Sequence, residues 1–338
     1  MAKIKVGING FGRIGRGFFH SAQEVDDIEI VGINDLGDVE NLAYLLRFDS
    51  VYGHAPFEVS YTDTSLIIDG VSIPVSHEKD PAHIPWKTVG ADIIVESTGV
   101  FTDYEKAQAH IAGGAKRVVV TGPGKGDPSI GKTILVGVNE ADAVSCKITS
   151  NASCTTNAAS PLVAILDHEL GIEKALLNTV HAYTATQMTV DGPGGKKDMR
   201  RGRAAAINIV PSSTGAAHAT AEAHTQLKDK FDGISLRVPV PAGSIADITF
   251  IAKRETTVEE VNDILTKAAS RSEWNGIFTV TEDELVSSDI VGNPHACIAD
   301  LTMTRVIGNL VKVLGWYDNE MGYVHTLVRH VQLVGKHL

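Results

Sequence analysis

Residues 4–16 read IKVGINGFGRIGR, an apolar β-branched run that leads directly into three glycines spaced GxGxxG. The run Ile4–Ile8 predicts a strand, and the residues from Gly12 onward predict a helix. In such a turn Gly10 permits the tight bend, Gly12 lets a pyrophosphate approach the backbone, and Gly15 lets the helix pack closely on the strand. The helix N-terminus favours an anion. The stretch therefore predicts a dinucleotide site.

The next predicted strand supports this interpretation. Ile28–Asn34 ends at Asp35, which lies twenty positions after Gly15. A carboxylate at this spacing can accept hydrogen bonds from both ribose hydroxyls, and it repels the additional phosphate of NADP. We therefore predict NAD as the cofactor. The alternative interpretation is a glycine turn followed by an Asp that caps a strand.

Strands and amphipathic helices alternate in the first half of the chain, which is typical of βαβ units and of a parallel sheet covered on both faces. After residue 150 the strands become longer and alternate in polarity, which favours a mixed or antiparallel sheet with helices on one face. The predicted strands are Ile4–Ile8, Ile28–Asn34, Asp92–Ser97 and Arg117–Thr121, then Leu176–Thr184, Ile234–Val240, Ile245–Lys253 and Cys297–Thr304. The predicted helices are Gly12–Ala22, Asp103–Ala112, Thr155–Leu170, Thr257–Ser270 and the amphipathic Glu320–Leu338.

Composition excludes several classes of protein. The formal charge of −11 argues against binding to nucleic acid or to an anionic membrane, since both would be repelled. No apolar run approaches the roughly 18 residues that a membrane-spanning helix needs. Three cysteines without a CxxC spacing indicate neither a disulfide framework nor a metal site. We therefore expect a cytoplasmic protein without a metal ion.

A second phosphate-binding motif competes with the first. Residues 126–133 read GDPSIGKT and fit the phosphate-loop pattern GxxxxGK[ST]. A working loop of this kind opens a helix whose N-terminus faces the phosphates. The residues that follow, Ile134–Val138, predict a strand instead. We therefore predict an ordinary loop at this position and not a nucleotide hydrolase.

The stretch SNASCTTN, residues 150–157, contains the strongest candidate nucleophile. Ser153 is suited to cap the following helix, which places Cys154 at the helix N-terminus, where the dipole lowers the pKa of a thiol. Cys146 and Cys297 lie in apolar runs and are predicted to be buried and structural. His181 is a candidate base, but it is one of thirteen histidines, and chain order leaves open whether it meets Cys154.

Eight motifs along nearly the whole chain resemble the glyceraldehyde-3-phosphate dehydrogenase family. They are INGFGRIGR (8–16), INDL (33–36), STGVF (97–101), SNASCTTN (150–157), HAYTATQ (181–187), PSSTGAA (211–217), RVPVP (237–241) and WYDNEMGY (316–323). The resemblance implies that Cys154 attacks an aldehyde as a thiolate, with His181 as the base. Hydride transfer to NAD then leaves a thioester, which inorganic phosphate cleaves. The implied reaction converts D-glyceraldehyde 3-phosphate to 1,3-bisphosphoglycerate.

The resemblance also implies two anion sites and a cofactor site. The substrate phosphate would be held by Thr184, Arg201 and Arg237, and the attacking phosphate by Ser153, Thr155, Thr214 and Gly215, with Arg201 near both. The cofactor residues implied by the glycine loop, by Asp35 and by the resemblance are Gly10, Phe11, Gly12, Arg13, Ile14, Gly15, Asn34, Asp35, Leu36, Lys79, Thr98, Gly99, Thr121, Asn319 and Tyr323. The loop Asp191–Arg203 is similar to a family loop at a subunit interface, which implies a homotetramer.

The resemblance implies that Asn319 holds the nicotinamide amide, so the C-terminal helix should pack on the NAD domain. We therefore predict an α/β protein with a Rossmann-type parallel sheet in an NAD domain, residues 1–153 plus 319–338. Residues 154–318 are predicted to form an α+β catalytic domain with a mixed or antiparallel sheet. Two alternatives stay open: erythrose-4-phosphate dehydrogenase, in which water releases the acid, and a binding protein without catalytic activity on the same fold.

Overall fold

The computed structural model describes residues 3–194 and 198–338, so part of the predicted loop Asp191–Arg203 lies outside the described residues. The chain forms two compact units. The first comprises the residues up to Ala152 together with Val324–Leu338, and the second is Ser153–Tyr323. The predicted limits of the NAD and catalytic domains, at residues 153 and 319, stay a prediction. Within the described residues, no helix is both long and apolar enough to cross a bilayer.

The first unit is built on a nine-stranded sheet and a separate two-stranded hairpin. Its strands are β1 (Ile4–Asn9), β2 (Ile28–Asn34), β3 (Phe48–Asp49), β4 (Gly53–His54), β5 (Val59–Thr62), β6 (Ser65–Ile68), β7 (Val71–Ser76), β8 (Ile93–Glu96), β9 (Arg117–Val120), β10 (Gly131–Thr133) and β11 (Ile148–Ser150). Its first helices are α1 (Arg13–Ala22), α2 (Val39–Arg47), α3 (Trp86–Val89) and α4 (Tyr104–Ala112).

The strand order of the large sheet is β10-β11-β9-β8-β1-β2-β7-β6-β5. β1 pairs in parallel with β2 on one side and with β8 on the other, so the chain direction across the sheet reverses at β1. Ligands of doubly wound sheets bind at the carboxyl ends of strands at such a switch point. Every residue of β8 and β9 is buried, as expected for a parallel sheet covered on both faces.

The second unit is built on a mixed sheet of order β13-β14-β12-β15-β19-β17-β16, with β18 paired to β19. The strands are β12 (Ile172–Ala182), β13 (Val210–Ser213), β14 (Phe231–Val238), β15 (Ser244–Ala252), β16 (Phe278–Thr281), β17 (Cys297–Asp300), β18 (Arg305–Ile307) and β19 (Leu310–Tyr317). The helices are α5 (Cys154–Leu170), α6 (Ala216–Ala223) and α7 (Val258–Ala269). Together the two sheets confirm the predicted fold class.

Burial explains how α5 is positioned in the second unit. Alternate residues of β15 are buried and half-buried, so one face of this sheet is covered. The covering helix is α5, which packs on β12, β15, β17 and β19. Thirteen of the seventeen residues of α5 are buried, so its N-terminal residue Cys154 is held on a rigid core element.

The last helix, α8 (Met321–Gly335), supplies the C-terminal part of the first unit. Its apolar stripe is buried as predicted, with Val324 and Val331 fully inaccessible. Gly17 of α1 permits the close approach, because a Cβ there would lie 3.2 Å from Val324 Cγ1. His330 is also fully buried and accepts or donates hydrogen bonds to Asn151 and Thr149.

Two predicted elements require correction. Ile134–Val138 is not a strand; the strand β10 is Gly131–Thr133, and a turn follows it. No helix opens at Lys132, so the phosphate-loop interpretation fails as expected. The predicted strand Cys297–Thr304 ends at Asp300, because the Asp300 side chain accepts a hydrogen bond from the Thr302 N–H and caps a 3₁₀ turn. The elements that were not predicted are the strands β3–β7, β10, β11, β13, β16, β18 and β19 and the helices α2, α3 and α6.

Candidate active site

Cys154 is the first residue of α5, one position before the predicted helix start. Ser153 is the N-cap, and its Oγ accepts a hydrogen bond from the Thr156 N–H at 3.1 Å. The backbone enters this turn through Ala152, whose φ of +53° lies in the left-handed region that a Cβ disfavours. The Cys154 sulfur is therefore held at the positive end of a long helix by a capping hydrogen bond.

His181 lies near the end of β12 and supplies a basic group beside Cys154. The His181 Nε2 is 3.3 Å from the Cys154 Sγ, although the two residues are 27 positions apart. The ring is buried, with 3% of its surface exposed, whereas Cys154 is only partly buried. The structure thus brings together the candidate nucleophile and the candidate base, whose contact the sequence left open.

Burial sets the protonation states of this pair. It lowers the pKa of His181 to about 3, and the charge of Arg237 acts in the same direction. Burial also raises the pKa of the Cys154 thiol, although Arg237 and hydrogen bonds from Thr155 oppose this change. The predicted net decrease in the Cys154 pKa is therefore wrong for the chain alone, because desolvation of the sulfur outweighs the helix terminus and the cation. The resting pair is a thiol beside a neutral imidazole.

Arg237 reaches this pair because β12 and β14 run parallel, with His181 and Arg237 opposite each other in register. Arg237 Nη1 donates hydrogen bonds to His181 Nδ1 at 2.7 Å and to the Ala182 carbonyl oxygen at 3.2 Å. Among the described residues, the buried Nε of Arg237 has no hydrogen-bond partner. A buried guanidinium N–H without a partner is well suited to an oxyanion. The contacts therefore place a candidate phosphate ligand next to the base.

Tyr317 and Thr179 complete this group, and sequence analysis missed both. Tyr317 Oη lies 2.8 Å from Thr155 Oγ1 and 2.7 Å from Thr179 Oγ1. The Tyr317 ring also meets the His181 ring edge to face at 5.9 Å. The signal for Tyr317 was its place in the motif WYDNEMGY, two positions before Asn319.

Arg201 and Thr184 form a second polar cluster. Arg201 Nη2 donates to Ser212 Oγ at 3.0 Å, and Arg201 Nη1 donates to Thr186 Oγ1 at 3.4 Å. Thr186 Oγ1 in turn lies 2.9 Å from Thr184 Oγ1. The charge of Arg201 also helps to lower the pKa of His181. Thr186, which was not predicted although it lies in HAYTATQ, therefore connects two of the predicted anion ligands.

Thr214 and Gly215 lie at the start of α6. Gly215 is the N-cap of this helix, and Thr214 Oγ1 accepts a hydrogen bond from the Ala216 N–H at 3.2 Å. In the part of the chain that the structure describes, no hydrogen bond joins either residue to Cys154. Their place in the site of the attacking phosphate therefore stays a prediction.

The glycine loop of the first unit has the geometry that a dinucleotide needs. Gly10 has a φ of +92°, and a Cβ on Gly15 would lie 2.1 Å from the Gly10 carbonyl oxygen. A Cβ on Gly12 would meet nothing within 4 Å, so the space beside this backbone is open, and no side chain caps α1. Open space beside this glycine is what the approach of a pyrophosphate to the backbone requires. Of the other predicted loop residues, Phe11 is buried, Ile14 is half-buried, and Arg13 forms an ion pair with Asp49 at 2.6 Å.

Asp35 is fixed at the carboxyl end of β2, beside the glycine loop. Its Oδ2 accepts a hydrogen bond from the Phe11 N–H at 2.6 Å, and its Oδ1 accepts one from the Gly37 N–H at 2.8 Å. Each oxygen keeps a second lone pair for a ribose hydroxyl. Among the neighbouring predicted residues, Leu36 and Lys79 are exposed, whereas Asn34 is buried and donates to Asn9 Oδ1.

Three predicted cofactor residues follow the ends of β8 and β9: Thr98, Gly99 and Thr121. Glu96 forms hydrogen bonds with both threonines. The buried Glu96 carboxylate accepts a hydrogen bond from the Thr98 N–H at 2.9 Å, and the Glu96 carbonyl oxygen accepts one from Thr121 Oγ1 at 3.0 Å. His110 Nε2 lies 3.0 Å from the same carboxylate. Sequence analysis missed Glu96, because a carboxylate at a buried strand end gives no local signal of its partners.

Asn319 and Tyr323, predicted to lie near the nicotinamide, belong to the second unit. Both side chains are buried. Asn319 Oδ1 accepts a hydrogen bond from Ser244 Oγ at 3.0 Å. Their place beside the nicotinamide stays a prediction.

Comparison with known proteins identifies the family. A model of the "glyceraldehyde 3-phosphate dehydrogenase, NAD binding domain" matches residues 4–104, and one of the "glyceraldehyde 3-phosphate dehydrogenase, C-terminal domain" matches residues 153–319. A curated glyceraldehyde-3-phosphate dehydrogenase of Streptomyces coelicolor is 50% identical over 339 residues, covering 99% of each chain. Enzymes of the same name from Mycobacterium avium and Clostridium pasteurianum are 47% and 44% identical, covering 99% and 98% of each chain. The chain belongs to the glyceraldehyde-3-phosphate dehydrogenase family of NAD-dependent oxidoreductases.

Proposed function

We propose that the protein oxidises D-glyceraldehyde 3-phosphate with NAD and inorganic phosphate to 1,3-bisphosphoglycerate. The observation that carries this proposal is the 3.3 Å contact of Cys154 Sγ with His181 Nε2, with Arg237 bound to the other ring nitrogen. A thiol, a base and a half-buried cation in one place suit attack on an aldehyde that carries an anionic group. The names of the relatives support this substrate over erythrose 4-phosphate.

In the first step, Cys154 adds to the aldehyde. The thiol proton passes to His181 Nε2 as the S–C bond forms, and the oxyanion then takes a proton from the ring to give a hemithioacetal. His181 Nε2 can accept that proton when Nδ1 carries the ring N–H and donates it to the Ala182 carbonyl oxygen, 2.7 Å away. Arg237 occupies Nδ1 in the chain alone, so we infer that its guanidinium turns to the substrate phosphate.

The second half of the reaction keeps the substrate on Cys154. When bound, NAD supplies the hydride acceptor. His181 removes the hydroxyl proton of the hemithioacetal as the hydride leaves, so that a thioester remains on Cys154. A phosphate oxygen then forms a bond to the thioester carbon, the C–S bond breaks, and the released thiolate takes up the proton held on His181. The acyl phosphate retains the energy of oxidation as a mixed anhydride.

Two groups of residues are proposed to hold the phosphates. Arg237, Arg201 and Thr184 would bind the phosphate of the substrate, which the contacts of Arg201 with Thr186 and of Thr186 with Thr184 support. Ser153, Thr155, Thr214 and Gly215 would bind the attacking phosphate, with Arg201 near both sites. Arginine suits this task because it is always charged and can bind two oxygens of one oxyanion.

The first test is the initial rate of NADH formation from glyceraldehyde 3-phosphate with and without inorganic phosphate. We expect the steady-state rate to depend strongly on phosphate, because the thioester otherwise blocks Cys154 after a single turnover. A slow rate that phosphate does not change would contradict the proposal and indicate hydrolysis of the thioester. Erythrose 4-phosphate would then be the substrate to measure.

Replacing Asp35 with alanine is expected to reduce the preference for NAD over NADP by about tenfold or more, equivalent to at least about 1.4 kcal/mol of binding free energy. The change removes both the ribose hydrogen bonds and the repulsion of the NADP phosphate. The ratio of kcat/KM for the two cofactors measures this effect. Asp35→Asn is the matched control, since it can still accept the hydrogen bond from Phe11. An unchanged ratio in both variants would show that the carboxylate does not contact the ribose.

We also propose that the first unit binds NAD, that the second carries the catalytic residues, and that the protein is a cytoplasmic homotetramer. Exposed apolar side chains in and near the loop 191–203 support the tetramer, because such side chains are typical of an interface. They are Val190, Met199, Ile207 and Ile209. Three free cysteines suit a reducing compartment.

A further inference from the structure

Tyr317 joins three structural elements beneath Cys154. It is the last residue of β19, and only 1% of its surface is exposed. Its hydroxyl contacts Thr155 on α5 at 2.8 Å and Thr179 on β12 at 2.7 Å, and both threonines are buried. Thr155 directly follows Cys154 in the chain, and its side chain acts to lower the pKa of the Cys154 thiol. Three hydroxyls therefore form a continuous row, and the last of them belongs to the residue next to Cys154.

The direction of these hydrogen bonds follows from the donors and acceptors. A thiolate can only accept, so the Thr155 hydroxyl donates to the Cys154 sulfur once the proton has left it. Thr155 Oγ1 must then accept from Tyr317 Oη, which has a single hydrogen. Tyr317 Oη in turn accepts from Thr179 Oγ1. Each of the three hydroxyl groups then donates one hydrogen bond, and all three hydrogen bonds are directed along the row towards the sulfur.

We propose that Tyr317 is a positioning residue whose hydroxyl, the middle member of the chain Thr179–Tyr317–Thr155, stabilises the Cys154 thiolate as it forms. This inference rests on the proposed function, in which Cys154 is the nucleophile. Hydrogen bonds aligned in one direction strengthen each other in a buried environment. The Tyr317 ring packs edge to face on His181 at 5.9 Å, so the same residue also supports the base.

Other groups around the sulfur must be considered in any measurement of its titration. His181 faces it from β12, Arg237 acts on it from β14, and Tyr317 from β19. Arg201 acts on His181. His181, Arg237 and Arg201 are all retained when a single hydroxyl is removed from Tyr317 or from Thr179, so a shift in the Cys154 titration reports the hydroxyl chain.

The test is the pH dependence of Cys154 alkylation by iodoacetamide in the full chain, followed by mass spectrometry of the Cys154 peptide. In Tyr317→Phe the ring against His181 is retained and only the hydroxyl is lost. We expect the midpoint of alkylation to rise by about one pH unit, a tenfold loss of thiolate below the midpoint. No aldehyde or NAD is needed, so this result does not depend on whether glyceraldehyde 3-phosphate is the substrate.

Two variants of Thr179 provide the matched comparison, and they also serve if Tyr317→Phe does not fold. Thr179→Val removes the far end of the chain and is expected to shift the midpoint in the same direction by less. Thr179→Ser keeps the hydroxyl, so its midpoint of alkylation should equal that of the wild type. If Tyr317→Phe and Thr179→Val lower only the melting temperature and leave the midpoint unchanged, Tyr317 is structural and the proposal is wrong.

Discussion

Replacing Cys154 with serine is expected to reduce NADH formation by about four orders of magnitude or more, as the loss of a covalent nucleophile does in other enzymes. The exchange of sulfur for oxygen leaves the helix cap and the contact partners in place. The serine hydroxyl, however, gives up its proton far less readily than a thiol does, so the nucleophilic anion hardly forms beside His181. The burst of NADH in a stopped-flow experiment measures this loss directly.

The same variant should bind NAD as the wild type does, because the glycine loop and Asp35 belong to the first unit. A fluorescence titration with NAD separates the loss of chemistry from the loss of the fold. Cys146→Ser is the matched control: the Cys146 thiol donates to the Ile148 carbonyl oxygen at 3.0 Å, and a serine hydroxyl can replace that bond. Substantial turnover in Cys154→Ser, or an equal loss in Cys146→Ser, would exclude Cys154 as the nucleophile.

The glycine loop is the part of the fold that local sequence predicts best. The positive φ of Gly10 and the 2.1 Å approach of a Gly15 Cβ to the Gly10 carbonyl oxygen are requirements that only glycine meets. Such requirements are visible in the sequence without knowledge of any distant residue. The buried strand Ile28–Asn34 was predicted with the bounds that the structure has, because a long β-branched run is unambiguous.

Short and edge strands were missed for a physical reason. β5 buries only its first residue, Val59, so it shows no apolar run. Ile134 and Leu135 are buried without being in a strand, which led to the wrong prediction after the phosphate-loop motif. β19 is different: buried and half-buried residues alternate from Val311 to Gly315, and the apolar run of this strand was available in the sequence.

The candidate site depends on strand pairing between distant parts of the chain. His181 and Arg237 are 56 positions apart and meet because β12 and β14 pair in parallel. Thr155 and Tyr317 are 162 positions apart. No local pattern determines such a register, so residue types alone could identify Cys154 and not its surroundings. Desolvation of the sulfur, which reverses the predicted direction of its pKa shift, likewise depends on the packed structure.

Replacing His181 with asparagine is expected to slow the NADH burst by about 10²- to 10⁴-fold at neutral pH, the usual loss when a general base is removed. The asparagine amide can still accept a hydrogen bond from Arg237 in place of Nδ1. It has nothing in place of Nε2, which lies 3.3 Å from the Cys154 sulfur. The thiol proton then has no acceptor, and only the small fraction of Cys154 that is already ionised can react.

The pH dependence distinguishes this explanation from a general loss of structure. In the wild type the imidazole is neutral above its pKa of about 3, and the Cys154 pKa is raised, so the thiol–imidazole pair persists and the burst rate should change little across the neutral range. In His181→Asn the rate should follow the thiolate and rise about tenfold per pH unit below the Cys154 pKa. His168→Asn, at a side chain that is 77% exposed, is the matched control and should resemble the wild type. A burst in His181→Asn that is slow but independent of pH would mean that His181 positions the substrate and does not accept the proton.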